Sequence, residues 1–248
     1  MSSPVSVPFD VPGVPMHGFR GEEPIAALTH PRGLTVAISR QAGARGTTIA
    51  RKVADILAWQ VFDHDTLDYL VQNDAAREQL LADVPADARR WADAQLAHLQ
   101  NDRNLNADAD SLQLIRLVLT VAARGNAVIV GRAAGFMLPA ETTIHIRVIA
   151  PSESRIAYMA QELRLTRPEA AEEVRARDER RALFLDRTLA LDPSDPTGYD
   201  AVVNSERLGV EGAAQFIGWA VRTKQMFTEL ADEPTMPSFT DLDELAGA

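Results

Sequence analysis

Hydrophobic positions along this chain alternate between short solid runs and helical spacings. Leu34, Val36, Ala37 and Ile38 form an apolar run ended by Ser39 and Arg40, which reads as a central strand of a parallel sheet. Beyond Gly43 and Gly46, Ile49, Val53, Ile56 and Leu57 recur at three- and four-residue steps, so a helix with one apolar face is expected to start near Thr47 and Thr48. Trp59 to Phe62 reads as a second strand ending at Asp63, His64 and Asp65. From Thr66 to Arg124 the pattern is helical, with breaks near Pro85 and around Asn101 to Asn106. Within it, Arg89, Arg90 and Trp91 read as a solvated turn with one aromatic anchor. The run from Leu112 to Val121 is apolar on most faces and predicts a buried helix. Asn126 to Val130 and Thr142 to Ile149 read as the third and fourth strands, and Ser152 to Leu163 as a helix. Thr166 with Glu169 three residues later has the spacing of a capping box opening another helix. A fifth strand, Tyr199 to Val203, and a closing helix on Val210, Ala213, Ala214, Ile217 and Val221 complete the pattern.

Strands alternating with helices predict an α/β domain over residues 34–230, with 66–124 as a helical insertion. Residues 1–33 carry six prolines and little periodicity, so an extended or flexible arm is expected. Residues 231–248 read as an acidic, frayed tail. The 248 residues, 46% hydrophobic and 24% charged, have an ordinary globular composition. With no long uncharged apolar window and no basic-then-apolar N-terminus, neither a membrane span nor a signal peptide is expected, and the expected location is cytoplasmic. The absence of cysteine excludes disulfides, thiolate catalysis and cysteine-held zinc. A net charge of −10 argues against a surface that coats nucleic acid. Lys52 and Lys224 are the only lysines, so almost all positive charge is arginine, whose forked, planar head suits phosphate.

The stretch 34–58 then carries the chemistry. A strand, a glycine turn and a helix in that order aim unpaired first-turn amides and the positive end of the helix dipole at one spot, which favours an anion. Arg40 and Arg45 add full charges beside it. Laid on the phosphate-loop pattern G-x-x-x-x-G-K-[ST], the chain has Arg40 for the first glycine, Arg45 for the second, Gly46 for the lysine and Thr47 for the magnesium-facing hydroxyl. Only the last position matches, and a glycine turn between a strand and a packing helix fits equally. Asp63 lies where ligands gather in open α/β sheets or is simply a helix N-cap. Arg116, inside the apolar helix, requires a partner, a water-filled pocket or a route to the surface. The helix after Thr166 carries Arg175, Arg177, Arg180, Arg181 and Arg187, and Arg177, Arg180, Arg181 and Arg187 are spaced so that several project from overlapping faces. Intrahelical ion pairs to Glu172, Glu173 and Asp178 account for that spacing without any site. The histidines show no metal-ligand spacing.

Taken in order, AISRQAGARGTTIARKVADILAWQVFDHDTL, AVIVGRAAGFMLP, IHIRVIAPSESRIAYM, RARDERRALF and DPTGYDAVVNSERLGVEGAAQFI resemble the cytidylate-kinase-like family of P-loop nucleoside monophosphate kinase relatives, over roughly residues 34–222. The resemblance implies a P-loop kinase fold: a five-stranded parallel sheet flanked by helices, a helical monophosphate-binding insertion and a lid at about 165–197. It implies transfer of the γ-phosphoryl group of ATP, with Mg²⁺, to a nucleoside monophosphate, CMP or dCMP being the best guess. By position, Arg40 and the stretch Gly43, Ala44, Arg45, Gly46, Thr47 and Thr48 would surround the donor phosphates, with Thr47 meeting the metal. Arg132, in the Gly-Arg pair after the third strand, would hold the acceptor phosphate. Asp178 and Arg181 match the lid's D-x-x-R, the arginine leaning on the transferring group and the aspartate reading the base. Asp63 and Arg116 fall on the acceptor side, and Arg177 and Arg187 are further lid contacts. The expected partners are ATP and a nucleoside monophosphate, with neither a nucleic-acid polymer nor a membrane, and a homo-oligomer left open.

Two departures matter. Gly46 stands where cytidylate kinases carry the loop lysine, as it does in many cytidylate-kinase-like relatives, and Ala133 stands where an acidic residue follows the Gly-Arg pair. The resemblance therefore leaves two readings open, an active kinase or a nucleotide-binding sensor without turnover. Arg40 or Arg45 is the candidate replacement for the lysine's charge.

Overall fold

A computed structural model describes residues 31, 33–102, 105 and 107–232. The readings for the arm and the acidic tail fall almost wholly outside these residues. Five parallel strands, β1 (Thr35–Arg40), β2 (Gln60–Phe62), β3 (Ala127–Val130), β4 (Thr143–Ile149) and β5 (Ala201–Asn204), form one sheet in the order β2-β3-β1-β4-β5. The α/β expectation of a five-stranded parallel sheet flanked by helices holds.

Helices cover both faces, which is why β1 and β3 are apolar runs rather than alternating patterns. On one face Val36 and Ile38 pack with Ile49 and Val53 of α1 (Gly46–Leu57) and with Ile217 and Val221 of α9 (Ser205–Asp232). On the other, Ala37, Phe62 and Ile129 pack with Leu117 and Val118 of α5 (Ala109–Arg124), Leu67 of α2 (His64–Gln72) and Trp91 of α4 (Ala86–Asp102). The short α3 (Asp74–Ala82) links α2 to α4. Each large apolar side chain fully buried in these layers contributes about 1.5–3 kcal/mol. After β3 come α6 (Ala134–Met137), β4, α7 (Ser152–Leu163) and α8 (Arg167–Leu189).

One expectation holds only in part. Arg89 and Arg90 are exposed and Trp91 is a buried anchor with Ala88, Ala92 and Leu99, but all three lie inside α4 and not in a turn. Alanines carry most of that face, so its periodicity is faint in the sequence. The capping box at Thr166 forms as expected, with Thr166 N and Oγ1 donating to Glu169 at 2.8 and 2.7 Å. Among the described residues no helix is long and apolar enough to cross a membrane.

β1 sits at the centre, and the crossovers leaving β1 and β4 run to opposite sides of it. This is the point where an open α/β sheet leaves a crevice at the carboxyl ends of its strands.

Candidate functional site

A cleft of about 950 Å³ opens at that point. Its walls come from the ends of β1 and β3, the start of α2, the inner face of α8 and the loop before β5. The loop after β1 turns through Gly43 (φ +78°) and Arg45 (φ 62°) into the first turn of α1. Gly43 lies so close to the backbone of Arg155 in α7 that a side chain would collide with it. Ala42, buried with Met159, Ala170 and Val174, fastens the same loop beneath α7 and α8. The loop is thus held in place by packing as well as by its turn chemistry.

Arg40 ends β1 and points into the cleft. Its stem passes Gly46, where a side-chain carbon would stand 2.7 Å from Arg40 Cβ and 2.9 Å from Cγ. Its head lies on Gly131, where a side-chain carbon would collide with Arg40 Nη1. The Arg40 pKa is lowered to about 10, by burial first and then by Arg181, Arg132 and Arg177, with Asp63 opposing them. Among the described residues Arg40 makes no ion pair. Arg45, by contrast, is exposed over the ring of Tyr158, 5.3 Å from its centroid, and does not line the cleft. Gly43, Ala44, Gly46, Thr47 and Thr48 are not part of the cleft wall either; they form the loop and the helix start behind it.

The turn after β3 is the second source of charge. Gly131, Arg132 and Ala133 take left-handed φ values of 79°, 55° and 56° in succession, a conformation that is unfavourable for the two non-glycine residues. Arg132 is aimed at α2, where its Nη2 contacts both Asp68 and His64 Nδ1, and His64 Nδ1 lies 3.1 Å from Asp68 Oδ2. Ala133 is buried at the start of α6. The carboxylate facing Arg132 therefore comes from Asp68 of α2.

The third source is α8. Arg177, Arg180 and Arg181 face the cleft, while Arg175, which does not line it, pairs with Glu172 and with Glu179 at its edge. The intrahelical ion pairs expected for this helix form, Arg177 with Glu173 at 2.5 Å and Arg181 with Asp178 at 3.2 Å. Asp178 accepts from Ala42 N and Arg155 Nη1, each at 2.7 Å, and from Arg181. Its carboxylate ties the β1 loop to α7 and α8, and the residue also lines the cleft. Burial lowers the Arg181 pKa, with Asp178 opposing. The Nε atoms of Arg132 and Arg181 are buried without a hydrogen-bond partner among the described residues.

Other expected site residues lie elsewhere. Asp63 is the N-cap of α2, accepting from Thr66 N and Oγ1 at 3.1 and 2.8 Å and from Arg51 Nη2 at 3.0 Å. Burial pushes its carboxyl pKa up, but these bonds outweigh that and hold it below its ordinary value. It does not line the cleft; His64 and Asp65 beside it do. Arg116 reaches outward to pair with Asp93 at 2.6 Å and is 60% exposed, so the buried helix keeps its charge in water. Arg187 is exposed in the last turn of α8, away from the cleft wall.

Sequence reasoning missed a polar layer under the cleft floor. Ser39 Oγ lies 2.9 Å from His145 Nε2, and His145 Nδ1 lies 2.7 Å from the Gly198 carbonyl. The carbonyl can only accept, so Nδ1 carries the proton and Nε2 accepts from Ser39. Burial lowers the His145 pKa to about 4, with the Gly198 contact and Asp200 opposing. Arg147 donates to Tyr199 Oη at 2.8 Å and to the Pro193 carbonyl, fixing the loop before β5. Among the described residues no three His, Asp or Glu side chains gather as a metal site.

An arginine-rich crevice at the switch point of a parallel sheet suits a phosphorylated ligand. The profile of the cytidylate kinase-like family matches residues 35–207, which include every wall of this cleft. The chain belongs to the cytidylate kinase-like family. A cytidylate kinase from Ignicoccus hospitalis is 27% identical over 117 residues, 47% of this chain and 68% of that protein. An uncharacterized protein from Eubacterium ventriosum, known from its crystal structure, superimposes with a TM-score of 0.53 at 16% identity, over 76% of this chain and 98% of that one. That likeness concerns the fold. Membership supports a nucleotide kinase-like role and gives the arginines at the strand ends of this cytidylate kinase-like protein a chemical context.

Proposed function

We propose that this cytidylate kinase-like protein transfers the γ-phosphoryl group of ATP to a nucleoside monophosphate, CMP or dCMP before others. One observation carries the reading. Among the described residues Arg40 has no ion pair and the Nε donors of Arg132 and Arg181 are unsatisfied, and all three residues line one cleft. Buried donors without acceptors are expensive unless a ligand completes them, and phosphate oxygens are the acceptors that match guanidinium groups.

In the transfer, an oxygen of the acceptor's phosphate forms a bond to the γ-phosphorus. The bond from that phosphorus to the β-bridging oxygen breaks, and its electrons leave with ADP. No proton has to move at the phosphorus, so the protein mainly positions and neutralises. Arg132 would hold the acceptor phosphate, released from Asp68 as it does so. Arg181 and Arg177 would lean on the transferring group from α8, and Asp178 would keep that helix fastened to the β1 loop. The first-turn amides at Gly46, Thr47 and Thr48 would face the donor phosphates, with the Thr47 hydroxyl towards Mg²⁺. The metal, arriving with the nucleotide, would supply charge neutralisation.

The test is phosphoryl transfer from ATP and Mg²⁺ to CMP, dCMP, UMP, AMP and GMP. Turnover concentrated on CMP or dCMP is the expected result, and no transfer to any of the five overturns it. Gly46 in place of a lysine favours a second reading, a nucleotide sensor without turnover. That reading gains if ATP or a monophosphate binds while all five acceptors stay unphosphorylated.

A further inference from the structure

Two of the three departures from the phosphate-loop pattern, at positions 40 and 46, touch each other. The stem of Arg40 occupies the space that any side chain at Gly46 would need, and its head occupies the space at Gly131. Gly46 opens α1 and has no left-handed backbone to explain it, unlike Gly131. Its lack of a side chain is accounted for by Arg40 alone. Arginine at 40 and lysine at 46 therefore exclude each other.

Arg45, the other cation of the loop, stacks on Tyr158 and faces solvent. Arg40 instead passes beside the N-terminus of α1 and lines the cleft among Arg132, Arg177 and Arg181. A cation placed among cations, opposed by Asp63 at a distance but in no ion pair among the described residues, is suited to a multiply charged anion.

Building on the phosphotransfer reading, we propose that Arg40 replaces the missing loop lysine by gripping the outer phosphates of the nucleoside triphosphate, and that Gly46 and Gly131 are the glycines that let it through. The lysine of the ordinary loop would reach those phosphates from the first turn of the helix. Arg40 reaches the same neighbourhood from the end of the strand, and its planar fork engages two oxygens where an ammonium offers a point charge. The position of the charge has moved by one strand-to-helix turn, and the glycine has moved with it.

The experiment compares wild type, Arg40→Met, Gly46→Lys and the double variant Arg40→Gly with Gly46→Lys. Arg175→Ala, on the outer face of α8, controls for general loss of positive charge. Dissociation constants for ATP with Mg²⁺ and for CMP are measured by calorimetry, and a thermal melt of each variant establishes folding. Arg40→Met should weaken ATP by about ten- to a hundredfold, the range of one charge-assisted contact, and CMP by less than about threefold. Gly46→Lys alone should weaken ATP similarly by evicting Arg40, and the double variant should return to within about threefold of wild type. Wild-type ATP affinity in Arg40→Met overturns the inference, as does a loss confined to CMP. A folded double variant that binds ATP no better than Gly46→Lys also overturns it. If the double variant does not fold, Arg40→Lys decides, since a retained charge should recover part of the affinity lost in Arg40→Met and no recovery sinks the idea. A wild type that binds neither nucleotide overturns the phosphotransfer reading itself, whereas every other adverse outcome leaves that reading standing.

Discussion

The turns after β1 and β3 each deliver one arginine to the same cleft, but the protein treats the two charges differently. Arg132 arrives already matched, by Asp68 and His64 of α2. Arg40 arrives unmatched, threaded between two glycines, with its pKa lowered by burial and by the neighbouring arginines. A matched charge is stable at rest and must be released before it can bind anything. An unmatched charge destabilises the resting fold and is ready for a ligand. The contrast separates a charge met by a carboxylate at rest from one that is not, and it can be broken or sharpened at four places.

The largest effect is expected where the turns meet. Gly131→Ala places a side chain at φ +79° and into the Arg40 guanidinium, combining left-handed strain with overpacking, so a loss of about 4 kcal/mol is expected in urea unfolding. Gly46→Ala keeps a helical backbone but meets Arg40 Cβ at 2.7 Å, an atom fixed to the end of β1, so its loss is overpacking alone, about 1–3 kcal/mol. Equal losses would mean that backbone strain at Gly131 adds nothing.

Acid should act on the floor under the first turn. His145 holds Ser39 of β1, and its folded pKa of about 4 lies below its ordinary 6.5. The unfolded chain therefore binds more protons between these values, and stability falls as the pH drops from about 6.5 towards 4. A shift of that size corresponds to a loss on the order of 3 kcal/mol. Melting His145→Gln beside wild type checks it: the variant should lack most of the decline in that window, and an unchanged decline assigns it to other groups.

Much of this contrast is invisible in the sequence, for physical reasons. The strands were legible because burial on both faces makes them solid apolar runs, and the Thr166 capping box because its partners are three residues apart. Arg40 and Arg45 looked interchangeable. What separates them is the left-handed backbone at Arg45 and a Tyr158 ring more than a hundred residues away in sequence. Asp63 carried two readings, and the structure engages its carboxylate in capping α2 and pairing with Arg51. Asp68 gave no signal at all, because its meaning depends on Arg132 across 64 positions. Asp178 was read through its motif spacing, whereas its contact with Ala42 N exists only once α8 lies over the β1 loop.

A third effect should have the opposite sign. Arg40→Met keeps the stem and removes an unmatched, largely buried charge, so it should stabilise the resting protein by about 2 kcal/mol, after allowing for water that reaches the head group. Arg132→Met strips Asp68 of its arginine and should not stabilise at all. Thermal melts of both check the contrast, and a destabilised Arg40→Met would show that the charge is matched in a way its position does not suggest.

The smallest effect tests the matched charge directly. Asp68→Asn leaves the shape of α2 intact but weakens the hold on Arg132. Both partners are partly open to solvent, with side chains 23% and 37% exposed, so stability should change by less than about 1 kcal/mol. The functional consequence is more informative. If Asp68 competes with a bound phosphate for Arg132, neutralising it should tighten CMP by about threefold, the effect of removing one partly screened competing charge, and should leave ATP unchanged. Raising the salt concentration should shrink that gain, because the competition it relieves is electrostatic. A weaker CMP affinity in Asp68→Asn would mean that Asp68 orients Arg132 for the acceptor rather than competing with it, and the two turns would then differ in geometry but not in readiness.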